Sequence, residues 1–168
     1  MLAGGCSLAL PWARPAAASL APRGLKFYNI HTDESLRAVY WDRGRYLEDS
    51  LRAIDFILRD FRTGEVRAID PQLLDLVHDV GQMLDYRGAI HVISGYRCPR
   101  TNAMLAARSA GVSKNSYHLR GMAVDIRLPG RELVAVRDGA IVLGRGGVGY
   151  YPEDDDFVHV DTGPVRRW

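Results

Sequence analysis

Two histidines and one aspartate carry the chemistry that this sequence offers. His118 and Asp125 stand seven residues apart in Ser116-Tyr117-His118-Leu119-Arg120-Gly121-Met122-Ala123-Val124-Asp125, and His159 lies far downstream in Phe157-Val158-His159-Val160-Asp161. Two imidazoles and one carboxylate form a ligand set that zinc accepts while keeping a fourth position open for water. Held that way, zinc lowers the pKa of its bound water to about 7, low enough for attack on an amide carbonyl at neutral pH. The oxyanion that develops then needs a cation or hydrogen-bond donors beside it. A lone histidine is more often a surface or core residue than a ligand, so His31, His78 and His91 are read as structural.

The elements that must position these groups follow from the neighbouring residues. Gly121 can take backbone conformations that other residues avoid, so the chain can turn sharply after His118. Met122 to Leu128 alternates apolar and polar residues and contains Val124 and Ile126, which predicts a strand. On it Asp125 shares a face with Ala123 and Arg127, and the small Ala123 leaves room for an ion. A second strand over Phe157 to Asp161 puts Phe157, His159 and Asp161 on one face and sends Val158 and Val160 into a core.

The rest of the chain reads as an α+β domain. Leu25 to His31 and Leu36 to Trp41 are predicted strands, joined onward by a turn at Asp42-Arg43-Gly44-Arg45. Tyr46 to Phe61 has a helical apolar period, and Asp70-Pro71 starts a second helix with Leu73, Leu74, Val77, Val80 and Leu84 on one stripe. A strand over Ile90 to Ser94, a helix over Arg100 to Ala110 closed by Gly111, and a short helix over Glu132 to Leu143 complete the reading.

The string around His118 resembles the zinc peptidases of the D-alanyl-D-alanine carboxypeptidase and murein endopeptidase group, which share a fold with the hedgehog signalling domain. Ile93-Ser94-Gly95-Tyr96-Arg97 is similar to that group's Ser-Gly-Tyr-Arg element. Gly146-Gly147-Val148-Gly149-Tyr150-Tyr151-Pro152 and Phe157-Val158-His159-Val160-Asp161-Thr162-Gly163 resemble a bacterial subgroup long labelled a domain of unknown function, some of whose members are murein endopeptidases. The resemblance spans roughly Leu25 to Trp168, with four motifs in the right order.

This resemblance implies a single domain with an antiparallel sheet, helices packed on it, and zinc held by His118, Asp125 and His159. It implies a murein endopeptidase that cuts peptidoglycan stem-peptide cross-links, with a D,D-carboxypeptidase or dipeptidase as the alternative within enzymes. A zinc-bearing cell-wall binding module without efficient turnover is the alternative outside them. Arg97 is the expected oxyanion partner, because the group uses its matching arginine near the substrate carbonyl. Ser116 can donate to a substrate carboxylate or amide, and Tyr96 either lines the cleft or packs. For the general base two acids compete. Asp156 stands where some relatives carry Glu, and Asp161 shares the strand face of His159 but could instead orient a histidine.

Composition fits one exported domain. The 168 residues suit one domain. A net charge of +2 gives no large basic surface for nucleic acid, and Arg166-Arg167 reads as a solvated face. The acidic run Glu153 to Asp156 reads as a solvated loop tip. Met1 to Pro22 lacks acidic residues and contains Ala16-Ala17-Ala18-Ser19, a small-residue cleavage signal. It is read as the back half of an export signal that begins upstream of Met1, against the competing reading of a disordered tail. The expected layout is an export segment over 1–22, a peptidase domain over 23–168, and a periplasmic monomer without a membrane span. Cys6 faintly resembles a lipoprotein box, with too little apolar sequence before it. If Cys6 leaves with the signal, Cys98 has no internal disulfide partner, and it is a rival zinc ligand on paper or a small buried residue.

Overall fold

The computed structural model describes residues 21–109, 112–153 and 156–168. Apart from Ala21 and Pro22, the expected export segment and Cys6 lie outside the described residues, as does Gly111, the expected helix stop. Strands β1 (Arg23–Asn29) and β2 (Glu34–Asp42) pair antiparallel, and β3 (Arg45–Tyr46) adds to β2 after the predicted turn.

Helix α1 (Glu48–Ile57) is shorter than its apolar period suggests. Its last carbonyls are taken by neighbours: Asn29 Nδ2 donates to Ile57 O at 3.0 Å, and Tyr96 N donates to Leu58 O at 2.7 Å. Helix α2 (Pro71–Met83) starts as the sequence predicts, with the Asp70 carboxylate accepting from Gln72 N at 2.9 Å and Pro71 at the first position. Then follow β4 (Ile90–Ser94), α3 (Pro99–Arg108), a turn of 3-10 helix over Tyr117–Arg120, β5 (Ala123–Arg127), α4 (Leu133–Leu143), β6 (Gly147–Tyr151), β7 (Phe157–Asp161) and β8 (Arg166–Arg167). Among the described residues no helix is long and apolar enough to cross a membrane.

The strands form one sheet in the order β3-β2-β1-β4-β5-β7-β6-β8. It is mixed, which corrects the antiparallel expectation. β1 and β4 run parallel because α1 and α2 form the crossover between them, and parallel neighbours require such a connection. β6 and β8 are also parallel. To reach β8 the chain leaves β7 and crosses close over the start of β6, where a Cβ on Gly146 would overlap the Asp161 carbonyl oxygen. The paired glycines at Gly146-Gly147 are thus the crossing point as well as the stop after α4.

Helices α1, α2 and α4 pack against the sheet over a core that includes Phe27, Tyr40, Ile54, Leu73, Val77, Ile126, Val136 and Val160. Strand alternation sends Val124, Ile126, Val158 and Val160 into that core and leaves Asp125 and His159 on the opposite face.

Gly121 joins the 3-10 turn to β5 at φ 69°, and a Cβ there would overlap the Ala68 carbonyl oxygen. Left-handed backbone at a non-glycine residue costs about 1–3 kcal/mol even without such an overlap. Gly121→Ala is therefore expected to lower unfolding free energy by at least about 2 kcal/mol in a urea titration. A variant as stable as the parent would contradict this packing.

Candidate metal centre

β5 and β7 pair in register, so Asp125 sits directly opposite His159. His118 reaches them from the 3-10 turn, whose start is capped by Ser116 Oγ accepting from His118 N at 3.3 Å. The three side chains are buried, and their inner atoms form a small triangle. His118 Nε2 lies 3.2 Å from Asp125 Oδ1 and 3.1 Å from His159 Nδ1, and His159 Nδ1 lies 2.8 Å from Asp125 Oδ1.

The outer ring nitrogens fix the tautomers. His118 Nδ1 donates to the Gly95 carbonyl at 2.7 Å, and His159 Nε2 donates to Asp161 Oδ2 at 2.9 Å. Both acceptors lack a proton to give, so in the neutral rings the inner nitrogens carry lone pairs. Two lone pairs and a carboxylate oxygen then face one another in a dry site, an arrangement that calls for a cation.

The three groups bias one another's charge. Burial alone would raise the Asp125 carboxyl, but the facing His118 and His159 rings hold it well below the usual carboxylate range. Burial would lower His159, but hydrogen bonds to Asp125 and Asp161 reverse this and raise it. Burial lowers His118, whose ring Asp125 only partly compensates.

A tetrahedral ion with ligands at about 2.0–2.1 Å spaces them about 3.3 Å apart, close to the edges of this triangle. The donor set therefore fits a zinc-like ion, and each imidazole has the outer partner that such ligands need. Among the described residues this is the sole group of three or more His, Cys, Asp or Glu side chains so clustered. Cys98 is not part of it: it is buried and caps α3, its Sγ accepting from Thr101 N at 3.4 Å. His31 bonds the Ile93 carbonyl, His78 bonds Asp79, and His91 packs on Tyr28, all away from the site.

The triangle lies at a cleft of about 510 Å³. Arg97 and Ser116 line it. Arg97 Nη2 makes a long contact of 3.5 Å to Ser116 Oγ, and its Nε is buried without a hydrogen-bond partner among the described residues. Burial pushes the Arg97 pKa down, partly offset by Asp125.

The structure places three further sequence candidates as follows. Tyr96 packs in the core at 6% exposure and does not line the cleft, because Gly95 presses on Leu58 and turns the next residue inward. Asp156 is drawn away by Arg127, its Oδ2 lying 2.8 Å from Arg127 Nε, and it also stays outside the cleft lining. Asp161 has no lone pair left for a reacting water. It accepts from His159, from Gly163 N at 2.8 Å, from Gly147 N at 3.1 Å, and from Arg166 Nη2 at 2.6 Å. Arg166, itself exposed, is thus also the counter-ion of a buried carboxylate.

Sequence reasoning missed Arg166 and the aromatic lining formed by Tyr117, Tyr151, Phe157 and Trp168. The available signal was the Gly147-x-Gly149 alternation, which clears space for side chains to lie flat on β6.

An α+β domain with a two-histidine, one-carboxylate centre in an open cleft has the build of a metallopeptidase-type hydrolase. The chain belongs to the peptidase family described as Peptidoglycan L,D-endopeptidase MepK, whose profile matches residues 17–168. It is 42% identical over 157 residues to the Peptidoglycan L,D-endopeptidase MepK of Escherichia coli strain K12, covering 92% of this chain and 86% of that protein. The protein of the same name from Shigella flexneri matches to the same extent. The probable peptidoglycan L,D-endopeptidase MepK of Haemophilus influenzae is 45% identical over 148 residues, covering 88% of this chain and 79% of its own length.

Proposed function

We propose that this protein is a zinc-dependent murein endopeptidase that hydrolyses amide bonds in peptidoglycan cross-links in the periplasm. The observation that carries the reading is the triangle of His118 Nε2, His159 Nδ1 and Asp125 Oδ1 opening on a cleft that also holds Arg97. The names of the relatives make an L,D linkage the first substrate to try.

When bound, zinc supplies a Lewis acid and a water of lowered pKa. The chain does the rest. His118, Asp125 and His159 hold the ion, while the Gly95 carbonyl and Asp161 keep the two rings aimed. Arg97 lines the cleft and offers its guanidinium to the scissile carbonyl oxygen, and its burial strengthens that interaction as charge develops. Ser116 Oγ already accepts from His118 N and faces Arg97, which leaves its own hydrogen to donate to a substrate amide or carboxylate.

The two acids named for the base role in the sequence reading carry opposite expectations. Asp161→Asn is expected to cut metal affinity or activity about 10- to 100-fold, the usual loss when a group that orients a metal-binding imidazole is changed. Asp156→Asn should stay within about twofold, as surface changes do. Steady-state rates and zinc content check both, and a large loss in Asp156→Asn would return that residue to the chemistry.

The test of function is incubation of zinc-loaded protein with purified muropeptide dimers of L,D and D,D linkage, with products identified by mass spectrometry. Conversion of the L,D dimer to monomers supports the reading. Release of single D-alanine from monomers would make the protein a carboxypeptidase, and uncut dimers with zinc retained would make it a binding module.

The proposed layout is an export segment over 1–22 and a peptidase domain over 23–168, supported by β1 starting at Arg23. N-terminal sequencing of protein from native cells should find Ser19 near the mature end. A product that keeps Leu8 to Trp12 would count against export.

A further inference from the structure

Hydrogen-bonding side chains line the cleft, Ser113, Asn115 and Ser116, and so does the indole of Trp168. We infer that Trp168 is a substrate-binding residue whose exposed ring receives the aliphatic part of the amino acid next to the scissile amide. The inference rests on the endopeptidase reading above and adds a binding contact to it.

The ring is held before any ligand arrives. Trp168 N donates to Val148 O at 3.2 Å, its carbonyl accepts from Tyr150 N at 3.1 Å, and Nε1 donates to Tyr151 Oη at 2.7 Å. A Cβ on Gly149 would stand 2.7 Å from the indole, so the ring needs that glycine in order to lie against β6. The Arg166 guanidinium stacks 4.9 Å from the indole centroid and is itself anchored on Asp161. A large apolar side chain fixed this firmly yet 51% exposed loses little entropy when a ligand covers it.

Position supplies the rest of the argument. The Trp168 ring lies 5.3 Å from the His159 ring, within one amino-acid residue of the reacting carbonyl. A peptide laid across the centre puts its amides against Ser113 to Ser116 and its alkyl carbons on the indole. The half-exposed indole has no charge of its own to attract a substrate carboxylate.

The test uses zinc-loaded full chain and L,D-linked peptide dimers from which the sugars have been removed. Trp168→Ala should raise KM about tenfold, the loss of roughly 60 Å² of apolar contact. Its kcat and zinc content should stay near the parent's, and Trp168→Phe should recover most of the affinity. A second readout covers poor folding of the alanine variant. In a Trp12→Phe, Trp41→Phe background Trp168 is the sole indole of the three in the chain. Its emission should change on titration with the cleavage product. Parental KM in Trp168→Ala overturns the inference, as does a defect confined to sugar-bearing dimers or an emission indifferent to product. A parent that cuts no dimer overturns the endopeptidase reading and this inference with it, whereas a parent that cuts normally leaves the two separable.

Discussion

His118→Ala should strip the protein of stoichiometric zinc and of turnover. The imidazole is fully buried, its Nδ1 is spent on the Gly95 carbonyl, and its Nε2 is one corner of the acceptor triangle. Alanine leaves two corners, and two ligands do not make the three-ligand zinc site that catalysis needs. Changing a group that merely orients a ligand costs about 10- to 100-fold, so loss of the ligand itself should exceed about 10³-fold in rate. Elemental analysis of purified protein reads the metal, and far-UV circular dichroism shows whether the fold survives. Asp125→Ala and His159→Ala should behave alike, because each removes one corner. If any of the three keeps a full equivalent of zinc, the metal lies elsewhere.

Arg97→Ala should leave zinc in place and slow turnover about 10²- to 10³-fold, the usual loss for one oxyanion donor. The guanidinium lines the cleft, yet none of the three corner atoms bonds to it. Among the described residues its side chain makes one hydrogen bond, the long one to Ser116, so few bonds of the surrounding structure depend on it. Lysine at this position keeps the charge but loses the planar fork, and Arg97→Lys should fall between parent and alanine. The decisive comparison is rate against metal content. Zinc lost in parallel with rate would make Arg97 a structural residue, and an unchanged rate would remove it from the chemistry.

The centre was legible in the sequence because strand alternation is a simple code. In Ala123 to Arg127 and Phe157 to Asp161 every second residue enters the core, so the remaining ones could be counted onto the face that holds Asp125 and His159. Asp70-Pro71 announced α2 through capping chemistry that depends on adjacent residues alone. The code stops where the regular backbone stops. After the irregularity between Val92 and Ser94 the chain leaves the sheet, and nothing local to Tyr96 tells whether its ring faces core or cleft. Asp156 takes a left-handed φ of 46°, which breaks any count from His159 back to it. β8 is two residues long with no apolar alternation, and its partner Gly147-Val148 lies on a strand whose glycines read first as a helix stop. Arg166 could have been suspected only from its pairing with a buried acid, a relation of packing and not of sequence.

The acceptor triangle also ties the life of the folded chain to the metal content of its surroundings. Whatever ion fills it binds the native state in preference to the unfolded chain, which scatters His118, Asp125 and His159. Stability therefore rises with the logarithm of free metal, by about 2.7 kcal/mol at one hundred times the dissociation constant. Withdrawal of the ion would remove that contribution where Asp125 faces His159 near the middle of the sheet, and so favour local opening there. Local opening of that kind is what proteases read. Metal scarcity would then shorten the protein's lifetime as well as silence it.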